Sequence, residues 1–397
     1  MRLLLIGAKT GYQTRAFADA AARLGLNLTL ATDRCHVLEN PWGDDAVALE
    51  FKDPEAAARK LAEEGRFDGI VALGDGPAYL AAVAARHLNI PYNSPQSTAN
   101  CRNKFLACKC FYDAGLLTPN FRRIPLNEAA SGADIVYPCV LKPLTQSASR
   151  GVIRADNPDQ FTAAFHRIAA MLKPERDEFL LVEDFITGRE FALEGILDHG
   201  RLNVLAIFDK PDPLDGPFFE ETIYVTPTRM PKHVQQEMRY ATAKAIKALG
   251  LTHGPIHAEM RLNDRGVWML EVAARPIGGL CAKVLPGLEE LILRHAAGED
   301  VFRFTIPNEP AGVMMIPIPK GGIYAGVSGE TEARAVPLIE DVIVTAKIGQ
   351  HLLPLPEGNS YLGFLFARGG NRVEVESALR EAHAKLRFEI NAALPVL

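Results

Sequence analysis

The sequence predicts an α/β chain of more than one domain, opening on a parallel-sheet domain and continuing into two α+β regions. Three observations predict it. The 397 residues exceed what one hydrophobic core organises, so length suggests two or three domains. Near the N-terminus, short apolar runs alternate with amphipathic stretches, the pattern of strands and helices in a parallel sheet. Farther on, residues 256–271 alternate apolar and polar side chains around a turn, the pattern of an antiparallel hairpin.

Taken in order, residues 3–6 read as a strand, 14–24 as an amphipathic helix and 26–31 as a second strand. A helix over 54–64 leads to a strand at 69–73, then Gly74-Asp75-Gly76 and a helix over 77–87. Ligands bind at strand C-termini in such sheets, so Gly74-Asp75-Gly76 is read either as a substrate-lining loop or as a tight turn. The loop Gly7-Ala8-Lys9-Thr10-Gly11 lacks the third glycine of a dinucleotide fingerprint and the Lys-Ser/Thr ending of a P-loop. It is weak evidence for nucleotide binding.

In the middle of the chain, Asn103-Lys104 opens a helix reaching Ala114. Cys139-Val140-Leu141-Lys142-Pro143 is a short apolar strand ending in a lysine. The following Thr145–Val152 loop carries Ser147, Ser149 and a closing Gly151, and offers hydroxyls and backbone N–H groups to a phosphate. A strand over 180–183 runs into Asp184-Phe185-Ile186, an extended segment suited to a purine's polar rim, with the Glu190 carboxylate beyond it for ribose hydroxyls.

The hairpin carries Glu259 on one strand and Glu271 on the other, expected to face one side near one end. Two such carboxylates repel unless protonated or bridged, and Mg²⁺ suits them. A surface hairpin with solvated glutamates has the same alternation. Arg275 adds a rigid cationic fork of the kind that reads phosphate. His257 is read either as a base for an incoming amine or as a hydrogen bonder orienting its neighbours. His36, His87 and His351 show no partner pattern. Past about residue 300, short strands at 312–319, 321–324, 342–344 and 363–367 precede a helix over 374–388.

Composition sets the frame. Hydrophobic content of 48% and charged content of 23% are those of a soluble globular protein. A net charge of −5 makes no electrostatic case for nucleic acid or an anionic membrane. No apolar run approaches the roughly 20 residues of a membrane helix, and the first apolar stretch stops at Gly7, as a buried strand does and a signal peptide does not. The six cysteines are scattered, and Cys108-Lys109-Cys110 is no metal spacing. A cytoplasmic location with reduced thiols is expected.

Lys104, Lys142, the serine loop, Glu183 to Glu190, Glu259 and Glu271 to Arg275, in this order, resemble the ATP-grasp superfamily along the whole chain. The resemblance implies a pre-ATP-grasp α/β domain over 1–95, an ATP-grasp α+β domain over 96–300 whose two subdomains clasp ATP, and a small C-terminal α+β domain over 301–397. Lys104 and Lys142 would meet the α- and β-phosphates, with the Thr145–Val152 loop folded over the triphosphate. Glu183 would meet the adenine amino group, Asp184, Phe185 and Ile186 would form the backbone hinge, and Glu190 would hold the ribose. Glu259 and Glu271 would hold Mg²⁺, with Mn²⁺ as the alternative, and Arg275 would contact the γ-phosphate or an acyl phosphate. Many members carry an asparagine two places after the second glutamate; here it is Ala273, which leaves the number of metal ions open.

Glu271-Val272-Ala273-Ala274-Arg275 is similar to the L-amino-acid ligases, the dipeptide synthetases of the superfamily. Phe208-Asp209-Lys210, Gly216-Pro217-Phe218-Phe219 and Glu221 to Thr228 resemble their substrate-facing segment, with Ile223-Tyr224 replacing the usual Gly-His. The implied activity is ATP-dependent joining of a small-molecule carboxylate, activated as an acyl phosphate, to an amine such as an amino acid, with release of ADP and phosphate. The C-terminal domain would complete the active-site wall or a homodimer contact. A biotin-carboxylase-like or formate-activating enzyme, and a non-catalytic ATP-binding module, are the alternatives.

Overall fold

The computed structural model describes residues 1–8, 12–33, 46–127, 132–172 and 178–392. Lys9 to Gly11 of the first loop, and His36, lie outside them.

The N-terminal sheet is parallel, in the order Ala46–Ala48, Asn27–Thr32, Arg2–Gly7, Gly69–Leu73. The helices Tyr12–Leu24, Pro54–Glu63 and Asp75–Leu88 accompany it. Asp53 caps the second helix by accepting from the Ala56 N–H, and Pro54 opens it. The three-residue strand Ala46–Ala48 has too little apolar pattern to be read from sequence.

A second, antiparallel sheet runs Phe121–Pro125, Phe179–Asp184, Cys139–Pro143, Ile153–Ala155, with the helix Pro158–Met171 on one face. The third sheet has eight strands: Gly266–Ala273, Gly254–Asn263, Arg189–Asp198, Arg201–Asp209, Ile223–Thr226, Ala311–Ile316, Gly363–Arg368 and Ile339–Val344. It is continuous across residue 300, because Ile223–Thr226 pairs antiparallel with Ala311–Ile316. The expected α/β, α+β and small C-terminal α+β architecture is thus present, with one sheet shared by its last two parts. The last helix, Arg372–Lys385, is shorter than expected: Leu386 leaves helical geometry, and Arg387–Asn391 becomes a strand paired with Gly322–Ser328. Half-buried alternation at its end imitates a final helical turn.

One apolar core spans the chain, with Leu3, Leu5 and Phe17 of the N-terminal part packing with Leu288, Leu291 and Ile292 and with Val313 and Phe364. The N-terminal part is also pinned by Asn93, whose amide donates to the His253 carbonyl (2.6 Å) and accepts from the N–H groups of Thr252 (2.8 Å) and His253 (3.0 Å). At this junction the His253 and His295 rings lie 4.2 Å apart and Tyr92 packs on His253.

Burial, with His295 alongside, pushes His253 down to about 3, and burial lowers His295 too. The unfolded chain takes up protons at these sites near pH 6.5 while the fold refuses them. The junction is therefore at full strength above about pH 6.5 and weakens as pH falls toward 3. Between pH 7 and 5 the urea-unfolding free energy should drop on the order of 1–2 kcal/mol through His253. The ring-preserving variant His253→Phe should flatten that drop, and an unchanged pH dependence would refute the assignment.

Candidate active site

In the acidic hairpin Asn263 faces Gly266 and Met260 faces Met269, but Glu259 faces Glu271, because the register shifts between Glu259 and Met260. The return strand holds one extra residue there, a β-bulge. Its effect is decisive. Val267 and Met269 point into the core, and plain alternation would send Glu271 after them. With the bulge, Glu271 turns to the face of His257, Glu259 and Arg261. The two glutamates do share a side, as expected, but strict alternation is not what puts them there.

Each carboxylate has one oxygen held by a cation. Lys104 Nζ, at the first turn of the helix Lys104–Asp113, lies 2.7 Å from Glu271 Oε2. Lys210 Nζ lies 2.8 Å from Glu259 Oε1, which also faces His257 Nε2 and the Tyr224 hydroxyl at 3.4 Å each. Among the described residues no hydrogen bond reaches Glu259 Oε2 or Glu271 Oε1. Hard oxygens left over in this way suit a divalent ion. Ala273, buried opposite His257, adds no donor.

These groups line one cleft of about 600 Å³ between the two antiparallel sheets, the N-terminal turn and the C-terminal part. Lys104, Lys142, Ser147, Ser149, Glu183, Asp184, Phe185, Ile186, Glu190, His257, Glu259, Glu271 and Arg275 all reach its wall. Gly74-Asp75-Gly76 does too, and Asp75 holds Arg275 Nε at 2.9 Å. Lys142 pairs with the buried Glu183, which also accepts from the Cys108 thiol at 3.2 Å. The Phe185 ring is met by the guanidinium groups of Arg154, 4.2 Å from its centre, and Arg261, 5.0 Å from it. The Asp184 and Phe185 N–H groups are spent on Asn120 and Pro138 carbonyls, and among the described residues the Ile186 N–H has no protein acceptor.

Gly151 is the exception. It is absent from the wall, and its N–H donates to the Pro356 carbonyl at 2.9 Å, so it cannot serve a phosphate. Its φ of +73° and a neighbouring Pro143 leave no room for a side chain, and it acts as the loop's anchor. Arg150 donates to the Glu357 carbonyl at 3.0 Å, and Arg167 grips the Glu357 carboxylate at 2.6 and 2.9 Å. The serine loop is thereby tied to the C-terminal part.

His257 Nδ1 pairs with the buried Glu194, whose other oxygen accepts from the Ile277 N–H at 3.1 Å. Burial opposes its charge, but Glu194 and Glu259 raise His257 to about 10. With Nδ1 taken by Glu194 and Nε2 facing Glu259, the geometry of the ring suits the orienting role read from the sequence better than the base role.

Family models match residues 18–92 as an ATP-grasp N-terminal domain, 135–284 as an ATP-grasp domain and 314–391 as an L-amino acid ligase C-terminal domain 2. The chain carries an ATP-grasp domain. It is similar to the crystal structure of an L-amino acid ligase from Bacillus licheniformis, with 28% identity, a TM-score of 0.86, and coverage of 98% of this chain and 99% of that one. Among curated proteins it is 24% identical over 310 residues to the ATP-grasp enzyme fsqD of Aspergillus fumigatus, matching 66% of this chain but only 53% of that protein. It is 24% identical over 303 residues to a D-alanine–D-alanine ligase of Syntrophotalea carbinolica, matching 70% of this chain and 91% of that protein. No helix among the described residues is long and apolar enough to cross a membrane.

Three residues in or just behind this cleft, Lys210, Arg261 and Glu194, had no individual role assigned from sequence. Lys210 contacts Glu190 at 2.8 Å and Glu221 at 2.5 Å besides Glu259. Burial pulls its charge down, yet the three carboxylates hold it well above lysine's usual value. Arg261 Nε donates to the other oxygen of Glu190 at 2.9 Å, and Arg261 Nη1 donates to the Ile186 carbonyl at 2.6 Å. Glu190 therefore reaches the cleft with both oxygens partnered. Glu194 did carry a signal: it is the one charge in the apolar run 191–197, and a carboxylate there must be paired.

The Glu357 tie generates a prediction. Glu357→Ala should speed amide hydrogen exchange in the Thr145–Val152 loop several-fold, read by mass spectrometry, while the eight-stranded sheet keeps its protection. Unchanged loop exchange would show that backbone contacts alone hold the loop.

Proposed function

We propose that this protein is an ATP-dependent carboxylate–amine ligase that forms a carbon–nitrogen bond between amino acids and releases ADP and phosphate. The observation that carries this reading is the convergence of Lys104, Lys142 and Arg275 on the same cleft as the bulge-paired Glu259 and Glu271. The likeness to an L-amino acid ligase over nearly the whole chain supports it.

A carboxylate is a poor electrophile, so an amide needs prior activation as an acyl phosphate. The difficulty is bringing an anion onto a polyanion. Lys104 and Lys142 offer charge to the phosphates, and Arg275, oriented by Asp75, offers its fork to the group being transferred. Glu183 and the Ile186 N–H suit the adenine, and Glu190 the ribose. Glu259 Oε2 and Glu271 Oε1 would hold a divalent ion, Mg²⁺ in this reading, which when bound screens phosphate charge. Gly278 and Gly279 line the cleft without side chains, so backbone N–H groups can approach an oxyanion. The serine loop would exclude water from a hydrolysable intermediate. The C-terminal part adds Met315 and Tyr361 to the wall, which favours an amino-acid substrate over bicarbonate or formate, since an apolar wall suits a side chain those ions lack.

The division at residues 95 and 300, a cytoplasmic location and a homodimer belong to the same proposal. Screening pairs of amino acids for ADP release, with mass detection of the product, tests it: release that requires an amino acid supports it, and release driven by bicarbonate alone would sink it. Glu271→Ala should abolish ATP turnover, at least about a hundredfold, with an unchanged circular dichroism spectrum. Full turnover by that variant would remove Glu271 from the metal role.

A further inference from the structure

Lys210 sits where a metal ion would be expected. Oxygens of Glu190, Glu221 and Glu259 lie within 4.8 Å of one another, a spacing that a divalent ion with oxygen ligands could draw in. The centre is filled by the Lys210 ammonium, 2.8, 2.5 and 2.8 Å from the three. The lysine has little freedom to leave. Its side chain is 3% exposed, and its N–H donates to the Glu190 carbonyl at 3.3 Å. The preceding Asp209 is fixed by the Thr228 hydroxyl at 2.5 Å and the Arg229 N–H at 2.9 Å.

The three carboxylates serve different parts of the cleft. Glu190 lies beside the hinge and shares Arg261; Glu259 belongs to the acidic pair and shares His257; among the described residues Glu221 has only the Tyr224 hydroxyl, at 2.7 Å, besides the lysine. An ammonium has three donors, one for each carboxylate. By taking Glu259 Oε1 it also fixes which oxygen of that residue remains available.

We propose that Lys210 is a positioning residue that stands in for a divalent cation: it keeps free metal out of the Glu190–Glu221–Glu259 cluster and reserves Glu259 Oε2 for metal that arrives with nucleotide. The second half rests on the ligase reading; the first does not. Without the lysine, a metal ion captured by the cluster would draw Glu259 away from Glu271 and toward Glu190.

The experiment is a Mn²⁺ titration of the full chain followed by electron paramagnetic resonance. Without nucleotide, wild type should bind Mn²⁺ weakly. Lys210→Met should bind it about tenfold tighter or more, because three uncompensated carboxylates become available. Adding Glu221→Gln to Lys210→Met should abolish the gain, and Lys210→Arg should stay near wild type. No gain in Lys210→Met, or a gain that survives Glu221→Gln, overturns the proposal.

Should Lys210→Met not fold, wild type still decides. Mn²⁺ affinity should rise sharply with a non-hydrolysable ATP analogue, and equal affinity with and without the analogue overturns the proposal. Calorimetry of the analogue with wild type separates the two readings. No nucleotide binding there defeats the ligase reading, while the nucleotide-free comparison of Lys210→Met with wild type still tests the cation role.

Discussion

Electrostatic repulsion between Glu259 and Glu271 is the constraint around which the cleft is organised. The extra residue in the return strand sets the two carboxylates opposite each other, and a pair so placed is tolerable only if cations reach it. Lys104 comes from a helix start, Lys210 from just past the strand Arg201–Asp209, two places along the sheet, and His257 from the hairpin itself. Each compensates one oxygen and leaves another for a ligand. The acidic pair thus dictates where several elements must meet.

The same logic extends outward. Arg275 is oriented by Asp75 of the N-terminal turn, so a group at the far end of the hairpin is set by a domain distant in sequence. Glu194 balances His257 from below, and Arg261 balances Glu190. Buried charges at this density cost heavily in desolvation unless each finds partners with good geometry. Here they form a connected network, which favours one fixed arrangement of the cleft over alternatives, as a binding site requires.

Much of this was legible in the sequence. The parallel sheet followed from alternating elements, and the hairpin from its period of two and its turn. The glutamates, lysines and Arg275 could be recognised by type and order. What could not be read depends on contacts distant in sequence. The bulge is one residue of register, invisible to a pattern that assumes strict alternation. Lys210 is unremarkable until Glu190, Glu221 and Glu259 close on it from three other strands or loops. Gly151 looked like a phosphate-loop glycine because nothing nearby announces that Pro356 will take its N–H. His257 looked like a base because its partner, Glu194, is 63 positions away.

The continuity of the large sheet has a consequence for dissecting the molecule. Ile223–Thr226 pairs on one side with Arg201–Asp209 and on the other with Ala311–Ile316. A fragment truncated at residue 300 would leave one rim of Ile223–Thr226 with unsatisfied backbone donors and acceptors, an invitation to self-association. Tyr224 lies on that strand, so the damage would spread to Glu221 and Lys210. Recombinant pieces cut at that point would misreport the catalytic half, and swapping C-terminal segments between relatives would have to preserve this seam.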